Sequence, residues 1–139
     1  PAAPDAVLVG AFTAADDATR AALGGATFAG ATVRFDTGER FQTSPLRIAA
    51  GRENFVFGQT FAERLKAPGN AQIELRRIIP ASRGEPVAPS ALCGGETPGL
   101  IALLHRRDTV DLMLFRAPAR PGPDAPVASL CGVWHLQAR

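Results

Sequence analysis

The sequence predicts a mainly-β domain, a small antiparallel barrel or sandwich of about seven to eight strands with one short helix near its N-terminus. Three observations predict it. Short apolar or alternating runs recur along the chain, set apart by turns and loops carrying Gly and Pro. Only residues 14–23 read as a sustained run of helix formers. Both cysteines stand in matched settings, Leu92-Cys93-Gly94 and Leu130-Cys131-Gly132, each entered from a Pro-rich stretch. That pairing predicts a disulfide between Cys93 and Cys131 stapling the last third of the domain.

Residues 6–12 read as a first strand. Thr13 stands three residues before Asp16, a weak capping box, and Gly24-Gly25 stops the helix that follows. Residues 26–35 read as a strand, Asp36-Thr37-Gly38-Glu39 as a turn, and residues 40–49 as the returning strand. Pro45 interrupts that strand and marks either a sheet edge or a bulge. Residues 60–66 fit one helical turn or a loop, and Pro68-Gly69-Asn70 is a turn. Residues 71–79 alternate, with Ile73, Leu75 and Arg77 on one face and Glu74, Arg76 and Ile78 on the other, the pattern of a half-buried strand. Residues 80–98 form a long Pro-bearing loop. Residues 100–105 and 110–115 flank Arg106-Arg107-Asp108-Thr109 as a β-hairpin. A second stiff loop covers 117–126, and 130–136 form the last strand. By alternation Trp134 points with Leu130, Gly132 and Leu136, away from Cys131 and Val133.

Length sets one domain, with 1–5 read as a flexible tether and 6–139 as the β domain. The net charge of +2 is too small to imply nucleic-acid binding, and no run is long and apolar enough for a transmembrane helix. Arg supplies all the basic residues except Lys66, and with abundant Ala and Gly this points to a GC-rich bacterial source. The small, stiff opening at Pro1 suits a segment after a removed signal or a lipid tether. A disulfide implies the periplasm or the cell exterior.

The chemistry-bearing groups are few. No phosphate-binding loop and no close-spaced zinc pair occurs, so no cofactor and no metal is expected. His105 and His135 lie in different strands, and none of Ser44, Ser82, Ser90 and Ser129 stands in a nucleophile elbow. Asp36-Thr37-Gly38 resembles the active-site tripeptide of aspartic proteases. In that family a small residue follows, whereas Glu39 follows here, and a single copy would need a homodimer to share a proton. A turn accounts for the same residues. Arg76-Arg77 and Arg106-Arg107 would cluster if their strand ends were neighbours, giving a patch for carboxylates, phosphates or an acidic surface. Trp134 and His135 complete the candidate binding residues.

The function these readings support is a non-enzymatic periplasmic or secreted binding protein with a protein or small-molecule ligand. Two alternatives stand beside it: an inhibitor of a lysozyme or protease acting through a Pro-rich loop, and a dimeric aspartic-type hydrolase at Asp36. A binder in a closed barrel is expected to carry an apolar pocket lined by Phe side chains. An inhibitor is expected to project the 80–98 or the 117–128 segment.

Overall fold

The computed structural model of the chain describes residues 8–118 and 120–139. The predicted tether at 1–5, and the first two residues of the predicted first strand, lie outside them. Among the described residues, eight antiparallel strands close into a barrel in the order β1-β10-β9-β8-β7-β4-β3-β2. They are β1 (Gly10–Ala14), β2 (Gly25–Ala29), β3 (Thr32–Phe35), β4 (Arg40–Ala50), β7 (Gln72–Ile79), β8 (Pro98–His105), β9 (Thr109–Arg116) and β10 (Leu130–Ala138). A two-stranded sheet, β5 (Asn54–Val56) and β6 (Gln59–Thr60), stands apart from the barrel. Closure leaves the barrel no unpaired edge. Among the described residues, no helix is long and apolar enough to cross a membrane.

Several elements differ from the sequence reading for identifiable reasons. The helix shortens to α1 (Asp17–Ala22) because Asp16, not Thr13, caps it, accepting from the Thr19 backbone N–H at 2.7 Å. The run 26–35 is two strands, since Gly30 takes positive φ and turns the chain back between β2 and β3. Residues 60–66 form a second helix, α2 (Phe61–Leu65), fixed by a full capping box between Thr60 and Glu63. Pro45 marks a bulge, as its missing N–H requires, rather than an edge; the register slips between Pro45 and Arg47.

The core is double. One cluster takes side chains from all eight strands, including Phe12, Phe28, Val33, Phe35, Phe41, Ile78, Leu103, Leu112 and Leu136, and so must be the lumen. The second takes Ile73, Leu75, Leu100, Ala102, Met113 and Phe115 from the outer face of β7, β8 and β9. Phe55, Phe61, Leu65 and Ala125 cover that face. This is why residues 100–104 and 112–115 are apolar at every position: both faces of these strands are buried. The alternating run at 71–79 is likewise buried on both faces over most of its length, not on one.

Cys93 and Cys131 are bridged, and the bridge ties the 80–97 loop to β10. A second bulge falls between Leu130 and Gly132, opposite Phe115 and Leu114 of β9. It breaks the alternation, so Leu130 packs in the outer cluster while Cys131 and Trp134 pack against the lumen cluster. Trp134 is half-buried, and its ring lies over Gly132, where a Cβ would come within 2.7 Å of it.

Candidate functional site

The four arginines do not gather. Antiparallel register sets Arg77 opposite Leu100, while Arg106 follows His105 at the far end of β8, roughly 20 Å away at strand rise. Arg76 points into the lumen and is fully buried. Its Nε lies 3.1 Å from Glu74 Oε2, its Nη2 donates to the Leu8 carbonyl at 3.1 Å and its Nη1 to the Gly30 carbonyl at 3.2 Å. The guanidinium also faces the Phe28 ring at 5.9 Å. With every donor direction directed at protein, Arg76 is an internal strut. Glu74 accepts in turn from the Leu8 backbone N–H at 3.3 Å.

Arg106 is also committed. Its Nε donates to Asp111 Oδ2 at 3.1 Å and another nitrogen donates to the Leu65 carbonyl. Arg107 is exposed at the hairpin tip. His135 stands beside the same carboxylate, its Nδ1 2.6 Å from Asp111 Oδ1, and its backbone N–H donates to the Thr19 hydroxyl at 2.9 Å. Asp111 therefore joins Arg106 and His135 into a clamp that fastens β9, β10, α1 and α2 together. Asp111 was not singled out in the sequence, although the hairpin register His135 opposite Asp111 is the signal that would find it. Asp36 sits in the β3–β4 turn with Oδ2 2.8 Å from Arg139 Nη2.

The lumen is filled by Phe and aliphatic side chains, as eight-stranded barrels allow. Among the described residues, the Phe side chains expected to line a pocket pack the lumen instead, and the cavities described below lie elsewhere. One of about 500 Å³ opens at the barrel mouth beside Leu8, Ile48, Glu74 and His105. Two others flank the 117–129 loop and share Ala117, Pro118 and Arg120. The first of these, about 670 Å³, is lined by Glu96, Arg116, Arg120 and Asp124 among others. There Arg116 Nε lies 3.1 Å from Glu96 Oε2, an ion pair without hydrogen-bond alignment.

The second, about 540 Å³, is a groove on the outer face of the barrel. Its lining includes Leu75 and Leu100, both buried in the outer cluster, and therefore rests on packed structure. The Pro45 bulge turns Leu46 outward into the rim. Gly99 lies in the bulge between Pro98 and Leu100 and lets the loop close in; a Cβ there would stand 2.9 Å from the Ala117 Cα. Arg47, Arg77 and Arg120 line the same groove, and among the described residues no carboxylate does. Arg47 is held by Glu53 through two nitrogens at 2.9 and 3.3 Å. The Arg47 guanidinium, and after it the Ala50 N–H, hold Glu53 below the usual glutamate range. The side chains of Arg77 and Arg120 have neither an ion pair nor a hydrogen bond among the described residues.

The Ala125 carbonyl accepts from the Phe57 N–H at 2.8 Å and the Gly122 N–H donates to the Phe55 carbonyl at 3.2 Å, which fastens residues 122–125 against the outer core, while 126–128 are exposed. In the 80–97 loop, residues 81–86 are exposed. Fold and groove together describe a closed antiparallel barrel with a basic, apolar-floored groove on its outer face. Comparison with known protein families, with curated proteins and with solved structures finds no match to this chain.

Proposed function

We propose that the protein is a non-enzymatic binding protein, periplasmic or secreted, whose ligand site is the outer-face groove between β4, β7, β8 and Ala117, Pro118, Arg120 and Pro121. One observation carries the reading: two guanidiniums without partners among the described residues, Arg77 and Arg120, line a groove whose floor is the buried pair Leu75 and Leu100. Convergent polar groups over a rigid apolar floor are the usual make-up of a ligand pocket, and the volume lies in the range such pockets span. The Cys93–Cys131 bridge supports the extracytoplasmic part of the reading.

The test is amide NMR of the folded, oxidised protein titrated with a mixture of small organic acids, alcohols and amines. Saturable shifts are expected at the amides of 46–47, 75–77, 99–100, Ala117 and Arg120. Shifts confined to the barrel mouth, or none from any member of the mixture, overturn the reading.

A further inference from the structure

Resting on that reading of the groove, we infer that its ligand is a small amphiphilic carboxylate, an anionic head on an extended apolar body. The three cavities differ in charge. The cavity beyond Pro118 is lined by Glu96 and Asp124 as well as Arg116 and Arg120, with Arg116 paired to Glu96, and the one at the barrel mouth holds Glu74. Among the described residues, the groove is the one of these three that has guanidiniums and no carboxylate. Glu53 occupies Arg47, which leaves Arg77 and Arg120 for a ligand. A planar guanidinium fork matches a carboxylate through two parallel hydrogen bonds.

The rest of the lining sets the other half of the ligand. Arg77 lies directly across the strand pair from Leu100. A head group on Arg77 therefore places the body along Leu46, Leu75 and Leu100, with Pro98, Pro118 and Pro121 as walls. Stiff proline walls lose little freedom when a ligand binds. A bare anion would leave this apolar surface wet, and a neutral chain would leave both guanidiniums unused.

Dodecanoate, dodecanol and acetate, each below its aggregation threshold, separate these cases by calorimetry and amide NMR on the oxidised protein. Dodecanoate is expected to bind one-to-one, at least about tenfold tighter than dodecanol, with shifts in the groove, and acetate is expected not to saturate. Arg77→Gln and Arg120→Gln, each checked for its fold by circular dichroism, are expected to weaken dodecanoate about tenfold and leave dodecanol unchanged. Equal binding of dodecanol and dodecanoate in the groove overturns the inference, as does acetate binding as tightly as dodecanoate. In both cases the groove stands as a ligand site. If dodecanoate leaves the groove unshifted while another small molecule shifts it, the inference again fails alone. If nothing shifts it, the groove reading fails too.

Discussion

The lumen and the outer face of β7, β8 and β9 are both apolar cores, but they are built differently. The lumen is closed by the barrel itself, with each strand contributing to it, and the Glu74–Arg76 ion pair lies within it, Arg76 fully buried and Glu74 reaching toward the mouth. The outer core exists only because a chain insert, β5-β6-α2, and residues 122–125 lie down on the sheet. A closed ring opens all at once, whereas a cover can lift alone. Contact with solvent therefore belongs to the second core, and the groove lies along its edge. The difference teaches where adaptability is placed: on the cover, not in the ring.

The largest expected effect tests the sealed core. Arg76→Met removes from Glu74 its guanidinium, and from the Leu8 and Gly30 carbonyls the donors they use. Breaking a buried pair from one side costs about 3–5 kcal/mol. The paired change Glu74→Gln/Arg76→Met should recover most of that loss. Urea unfolding followed by Trp134 fluorescence measures both. If the single and double variants lose equally, the pair is not an energetic unit.

The cover predicts a different signature. Phe61→Ala removes a buried ring that stacks on Phe55 at 5.4 Å and should cost about 3 kcal/mol. Because the insert can lift alone, the loss should show first as faster amide exchange at 54–65, with β1, β2 and β3 still protected. Uniform loss of protection across the barrel would erase the distinction between ring and cover.

Much of this was legible in the sequence, and what was not follows a pattern. Local signals carried the strand pattern, the Pro45 bulge and the Cys93–Cys131 bridge. The unbroken apolar runs at 100–104 and 112–115 already required two buried faces, yet nothing local says that Phe55 and Phe61 supply the second cover. Arg76 shows the limit most plainly. Its alternation with Glu74 was visible, but a charged pair on one strand face reads as solvent-facing until barrel closure turns that face inward. The groove was invisible for the same reason: Leu46, Arg77, Gly99 and Arg120 come from four segments, joined only by register and two bulges. Leu130 was misplaced because strict alternation cannot foresee a bulge at Cys131.

Acid should loosen the cover before the ring. Glu53 accepts from Arg47 and from the Ala50 N–H, at the turn where the insert leaves β4. Its folded pKa lies below the ordinary 4.5. A lowered carboxylate contributes stability that is present above the unfolded value and lost as pH falls through the folded one. Both partners are well exposed, so the contribution should stay under about 1 kcal/mol. Amide protection at 54–65, referred to the intrinsic exchange rate at each pH, should therefore fall below about pH 4.5, and Glu53→Gln should show the lower protection already at neutral pH. An insert whose exchange ignores both changes is held by its apolar contacts alone.

The smallest effect is expected at Asp36. Its backbone N–H donates to the Gly25 carbonyl at 3.0 Å, and its Oδ2 meets Arg139 at 2.8 Å with both side chains about half exposed. The close approach is made by Gly24 and Gly25, where a Cβ would stand 2.9 Å from the Asp36 Cβ and 2.8 Å from its Oδ2. Asp36→Asn keeps the size, the backbone bond and the turn preference, and removes only the charge facing Arg139. An exposed ion pair of this kind contributes little, so unfolding free energy should fall by less than about 0.5 kcal/mol. Urea unfolding in low and high salt checks this, since what little is lost should shrink further when salt screens the parent pair. A loss above about 1.5 kcal/mol would mean that Arg139 fastens β10 to the β3–β4 turn and helps hold the ring closed. A peptidase activity present in the parent and lost in Asp36→Asn would instead give the carboxylate a chemical role and return the Asp36-Thr37-Gly38 tripeptide to the centre of the protein's function.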